Sequence, residues 1–152
     1  LNLMLKVYDT MMPEFIELSR LLDRELEQRT GESQELFSPV TSLQGIHDLV
    51  LAWRGRDPVG CAALRELSVG VWEVKRVFVL PEYRGGGVSR QMMERLEQLA
   101  TEKGAKRLVL ETSKAIPEAV ALYTNMAYSV ISNFGPYEGR ETSLCFGKDL
   151  PA

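Results

Sequence analysis

Apolar positions recur along this chain with two periods, and the change from one period to the other divides it into strands and helices. Leu3 to Tyr8 reads as a strand. Pro13 to Arg29 follows as a helix, because Phe15, Leu18, Leu22 and Leu26 return at steps of three and four and share one face. Thr30-Gly31-Glu32-Ser33 stops it, and residues 32–46 are less regular, with room for a short helix. His47–Arg54 and Val59–Leu67 predict a hairpin around the polar turn Gly55-Arg56-Asp57-Pro58. Val71–Leu80 is the next strand. A helix from about Gly87 to Lys103 puts Val88, Met92, Leu96 and Leu99 on one side, with Gly104 placed to cap it. Arg107–Glu111 predicts a short strand, and Pro117 opens a helix carrying Val120, Leu122, Tyr123 and Met126. Tyr128–Ile131 and Ser143–Phe146 are the last strands, joined by the Asn133–Arg140 loop.

Strands in direct succession pair antiparallel, whereas the strand–helix–strand unit from Val71 to Glu111 calls for a parallel pair. The expected fold is therefore mixed α/β, with a mostly antiparallel central sheet and helices on both faces. With 152 residues, one domain over residues 1–152 buries a sizeable core. A net charge of −3 argues against general nucleic-acid binding. No apolar run is long enough to span a bilayer, so no membrane partner is expected. Cys61 and Cys145 lie far apart inside apolar stretches, as small core residues do. With one histidine they make no convincing zinc site, and no metal is expected. The expected setting is soluble, reducing and cytoplasmic.

The chemistry concentrates in Val77-Phe78-Val79-Leu80-Pro81-Glu82-Tyr83-Arg84-Gly85-Gly86-Gly87-Val88-Ser89-Arg90, where a strand runs through a glycine turn into a helix. Bare amides at a helix start, together with the helix dipole, bind phosphate. A P-loop needs Lys followed by Ser or Thr after its last glycine, and here Val88-Ser89-Arg90 follows. A dinucleotide fingerprint needs a third glycine where Arg90 stands, and it should directly follow the strand, but Pro81 to Arg84 intervene. Glu111, at the end of the next strand, imitates its ribose-binding acid.

The segment resembles the acetyl-CoA signature of the GNAT superfamily of N-acetyltransferases, Arg/Gln-x-x-Gly-x-Gly/Ala. Arg84-x-x-Gly87-x-Ser89 matches it with one departure, at Ser89. Val79-x-Pro81-x-Tyr83-Arg84 before it is also similar to the family, as are Ala119-Val120-Ala121-Leu122-Tyr123 and Met126-Ala127-Tyr128 later. The resemblance covers roughly residues 47–149. It implies an acyl-CoA N-acyltransferase-like fold and acetyl-CoA as co-substrate. Arg84, Gly85, Gly86, Gly87, Ser89 and Arg90 would hold the CoA diphosphate. The backbone of Val77, Phe78 and Val79 would bond pantetheine as an added strand, one N–H near Val79 serving the thioester carbonyl.

Acetyl transfer to an amine of pKa about 10 needs a base, and the leaving thiolate benefits from an acid. By resemblance Tyr123 is that acid. Glu73 is the candidate base, since related sequences often carry one on this strand. Alternation puts Glu73, Lys75, Val77 and Val79 on one face. A carboxylate there is costly unless solvated or paired, with Lys75, Arg76 or Arg65 as the candidate partners. Ile116 departs from the family, where Asn or Gln often stands seven residues before the tyrosine. Thr112 or Ser113 would have to replace that contact. Lone His47 reads as surface, and Glu138, Arg140 and Glu141 as a solvated loop.

The expected reaction is direct transfer of acetyl from acetyl-CoA to a primary amine of a small molecule in a ternary complex. The acceptor would enter opposite CoA, bordered by the helix after Pro13, residues 30–46 and the Asn133–Arg140 loop. Rival expectations are a protein or peptide N-acetyltransferase and a non-catalytic acyl-CoA-binding module. Relatives often dimerise, which leaves a homodimer open.

Overall fold

The computed structural model describes residues 2–33 and 43–152. Most of the stretch in which a short helix was expected, residues 32–46, lies outside them. Among the described residues seven strands form one sheet: β1 (Leu3–Tyr8), β2 (Asp48–Arg54), β3 (Asp57–Ser68), β4 (Val71–Val79), β5 (Arg107–Ser113), β6 (Ser129–Ile131) and β7 (Ser143–Asp149). The helices among the described residues are α1 (Pro13–Thr30), α2 (Val88–Glu102) and α3 (Pro117–Asn125). The sheet order is β1-β2-β3-β4-β5-β7-β6. Every pairing is antiparallel except β4 with β5. The fold class is the one expected, and β7 inserts between β5 and β6. Among the described residues no helix is long and apolar enough to cross a membrane.

Gly55 and Arg56 alone turn the β2–β3 hairpin, since Arg54 pairs with Asp57. Gly55 takes a φ of 64°, the left-handed conformation a tight hairpin turn demands.

The two faces of the sheet bury separate cores. On one, α1 lays Phe15 and Leu18 on Leu49, Leu51, Cys61, Ala63 and Phe78. On the other, α2 buries Val88, Met92, Leu96 and Leu99, the four positions its period predicts, while α3 adds Tyr123 and Met126. Gly60 on β3 admits Met92 closely, because an added Cβ would lie 3.1 Å from the Met92 methyl. Both cysteines are fully buried. Desolvation pushes the Cys61 thiol up to about 12 and the Cys145 thiol up to about 11.

One expectation fails inside β4. Its register against β3 slips between Cys61/Phe78 and Ala63/Lys75, so that two residues of β4 oppose one of β3. Arg76, with a φ of 60°, sits in this bulge. An inserted residue reverses the side-chain alternation beyond it. Glu73 and Lys75 stay on the α1 face, whereas Val77 and Val79 turn to the α2 core and Phe78 takes their place. The four do not share a face as alternation predicts.

Candidate active site

The parallel pair β4–β5 is short. It runs from Val71/Arg107 to Glu73/Val109 and then stops, although both strands continue. Beyond it the strands part around a cavity of about 420 Å³. Val74 to Val79 form one wall and Leu110 to Ser113 the other. Gly85, Gly87 and the start of α2 lie on the same cavity, as do Ile116 before α3 and Ala119, Leu122 and Tyr123 within it. The C-terminal half of α1, with Leu22, Glu25, Leu26 and Thr30, also lines it.

The glycine loop arrives from β4 through a short 3₁₀ turn, Pro81–Tyr83. Gly85 and Gly87 take φ values of 86° and 83°. The first backbone bond of α2 runs from the Gln91 N–H to the Gly87 carbonyl, which leaves the Val88, Ser89 and Arg90 amides without a helical partner. Among the described residues no side chain caps this end. An added Cβ at Gly85 or Gly86 meets nothing within 4 Å, so neither glycine is required by packing. Such bare donors at a helix N-terminus fit a diphosphate. The guanidinium groups expected beside them have protein partners. Arg84 donates from Nε to the Val79 carbonyl (2.8 Å) and pairs through Nη2 with Glu25 (2.8 Å), its charge over the Phe78 ring. Arg90 pairs with Glu94 one turn along α2.

Beyond Val79 toward its start, β4 presents backbone to the gap on the side β5 has left. Val77, Phe78 and Val79 therefore have room for an extended ligand on that side, with Phe78 and Val79 still paired to β3 on the other. Tyr123 is buried at the α3 side of the gap, its ring edge-on to Tyr128 and tilted against Phe146. Burial, and then the charge of Glu111, raise its hydroxyl above the ordinary phenol range, so it stays protonated. Ile116 stands before α3 with no side-chain cap. Ser113 accepts the Ala115 N–H (3.1 Å), and Thr112 and Ser113 both face the cavity.

Glu73 is 1% exposed and lies behind this wall. Arg65 donates to one of its oxygens (2.8 Å), and the Tyr137 hydroxyl donates to the other (2.7 Å). Lys75 Nζ is 3.9 Å from the second oxygen and donates to the Tyr137 hydroxyl at 3.3 Å. Arg76, the third candidate partner of Glu73, instead grips α1 through Asp23 and the Ser19 carbonyl.

Three residues on the cavity were not picked out as functional by sequence: Lys75, Glu111 and Tyr137. Desolvation lowers the Lys75 ammonium and raises the Glu111 carboxyl, and each opposes the other's shift by its charge. Ser143 donates to Glu111 at 2.6 Å. Tyr137 is buried by the 3₁₀ turn Gly135–Tyr137, and the Asn133 amide fastens that loop by donating to the Tyr137 and Arg140 carbonyls. Arg140, expected in solvent, faces the cavity and pairs with Glu32 at 2.7 Å.

A family model described as the acetyltransferase (GNAT) family matches residues 6–128. A relative from Azospirillum brasilense, named IAA acetyltransferase, is 34% identical over 89% of this chain and 90% of its own length. The uncharacterised N-acetyltransferase YsnE of Bacillus subtilis is 25% identical over 89% of this chain and 99% of its own. Among solved structures, a Klebsiella pneumoniae protein assigned by name to the acyl-CoA N-acyltransferases superimposes with a TM-score of 0.81 at 27% identity, covering 97% of both chains. A GNAT family acetyltransferase from Elizabethkingia anophelis, solved with acetyl-CoA bound, has a TM-score of 0.71 at 20% identity, covering 98% of this chain and 99% of its own.

Proposed function

The chain belongs to the GNAT acetyltransferase family, and from that premise we propose that it transfers acetyl from acetyl-CoA to a primary amine of a small molecule by direct attack in a ternary complex. The observation that carries this reading is the parting of β4 from β5 after Glu73/Val109, with a bare helix N-terminus at one end and Tyr123 beside the gap.

The donor half is a matter of backbone. The amides at Gly85, Gly86, Gly87 and the start of α2 take the diphosphate, with the Ser89 hydroxyl able to add a donor. Arg84 fixes the loop to the end of β4 through Val79 and adds charge beside the anion; Arg90 adds charge from the surface. The free edge of Val77, Phe78 and Val79 holds pantetheine, and an N–H of that edge meets the charge that builds on the thioester oxygen. Tyr123, kept protonated by burial, donates its proton to the departing thiolate.

Two carboxylates are in place to take the amine proton. Glu111 lines the cavity directly, and its burial makes it a better base than an exposed glutamate. Glu73 touches the cavity wall through the Tyr137 hydroxyl and, at 3.9 Å, the Lys75 ammonium. The geometry favours Glu111 for the transfer, with Glu73 orienting Tyr137 and Lys75.

The charged and polar side chains Lys75, Glu111, Tyr137 and Arg140 on the cavity suit a small polar acceptor. Titrating acetyl-CoA against thermal stability tests the donor half. A ligand at a hundred times its Kd stabilises by about 2.7 kcal/mol, an upward shift of roughly 5–10 °C for a chain of this length. An unmoved Tm at high excess would contradict the donor site.

A further inference from the structure

Glu111 is held in place from β7. In the β5–β7 ladder Glu111 faces Cys145 and Ser113 faces Ser143, so Glu111 and Ser143 are diagonal neighbours on one face of the sheet. Buried Ser143 donates its single hydroxyl hydrogen to Glu111 Oε2 at 2.6 Å. The same hydroxyl oxygen accepts the Arg140 Nε–H at 3.2 Å, which turns its hydrogen away from the guanidinium and onto the carboxylate. Arg140 is fixed in turn by Glu32 at 2.7 Å, and Glu32 by the Thr142 hydroxyl at 3.0 Å. The Ser143 N–H closes this turn onto the Arg140 carbonyl, to which the Asn133 amide also donates. We propose that Ser143, with Arg140 behind it, is the positioning residue for Glu111, holding Oε2 so that Oε1 takes the proton of the acceptor ammonium. The N–H bond breaks, the O–H bond forms, and the amine is left neutral to attack. The inference rests on the acetyl-transfer reading above and deepens it at the base.

Charge explains why such a partner is needed. A carboxyl must be ionised before it can accept a proton, and burial pushes Glu111 the other way, toward the neutral acid. The Ser143 bond is the largest effect opposing burial; the Arg140 and Lys75 charges follow, and the Glu73 charge adds to the rise. The other titratable groups that feel Glu111 are Tyr123 on α3, Tyr137 in the β6–β7 loop and Cys145 on β7. Burial raises all three, so they stay uncharged and supply no counter-charge. A hydroxyl aimed at Oε2 both favours the ionised form and limits the rotamers of a three-torsion side chain.

Carbon-13 NMR of the glutamate carboxyl groups follows the Glu111 titration with no acceptor present, its resonance identified by its loss in Glu111→Gln. Ser143→Ala should move the Glu111 midpoint up by about one pH unit, the effect of losing one hydrogen bond to a charged group. Ser143→Thr, which keeps the hydroxyl, should stay near wild type. Arg140→Gln, at a partly exposed side chain, should move the midpoint in the same direction. The acetyl-CoA thermal shift of each variant reports that it has folded. For a panel of amino acids, alkylamines and arylalkylamines at saturating acetyl-CoA, kcat of Ser143→Ala should fall about tenfold below the midpoint and approach wild type above it. A midpoint unmoved in Ser143→Ala, or in Arg140→Gln should Ser143→Ala not fold, overturns the inference and leaves acetyl transfer intact. A loss of kcat equal at every pH does the same, since that is what a merely structural defect gives. Wild type that binds acetyl-CoA yet acetylates no amine of the panel overturns both.

Discussion

Glu111 carries the sharpest residue-scale consequence, because its burial raises the carboxyl from its ordinary value. A group raised in the folded state favours folding most below its unfolded pKa, and that contribution is lost as pH rises through the folded pKa. Gln at this position keeps an acceptor for Ser143 and does not titrate. Glu111→Gln should therefore compare more favourably with wild type at pH 8 than at pH 4, read as the difference in Tm at each. A difference that does not change with pH would count against a desolvated carboxylate. The same variant should lose turnover. Tyr123→Phe tests the acid: kcat should fall on the order of 10²-fold while the acetyl-CoA KM moves little. Full turnover at every pH would remove Tyr123 from the mechanism.

At the scale of elements, α3 ends in an unusual way. The Tyr128 N–H bonds the Tyr123 carbonyl and the Ala127 N–H bonds that of Thr124, the paired closure in which glycine normally takes the left-handed position. Here Ala127 takes it, with a φ of 69°. Ala127→Gly should stabilise the chain by about 1 kcal/mol, roughly 2–4 °C in Tm; a loss of stability would show that the Ala127 methyl packs usefully. The glycine loop poses the opposite question. Gly86 needs neither a positive φ nor close packing, so Gly86→Ala should leave stability within about 0.5 kcal/mol of wild type. If the diphosphate lies against this backbone, the same change should weaken acetyl-CoA at least about tenfold by calorimetry. Unaltered affinity would move the diphosphate elsewhere.

For the whole molecule, the order of elements was legible because each long segment kept one period, and the parallel pair followed from a strand–helix–strand unit. Gly104 closes α2 as its position implied, its N–H bonding the Thr101 carbonyl. The bulge was hidden, because Val74 to Val79 contains no glycine or proline to mark it. The Arg76 conformation is held from a distance by Asp23 and Ser19 on α1. The polar wall was hidden for a similar reason: Lys75 and Tyr137 are 62 residues apart and meet only because β7 inserts beside β5 and draws the preceding loop over β4. The proposed donor-binding backbone is written in local sequence, whereas the proposed acceptor wall is assembled by topology. Amine-dependent release of CoA thiol, followed as initial rate across a panel of amino acids and simple amines at saturating acetyl-CoA, tests the account most directly. It predicts release that saturates with acceptor and yields an N-acetylated product by mass spectrometry. Tight acetyl-CoA binding with no release above hydrolysis for any amine would contradict it and make the chain an acyl-CoA-binding module.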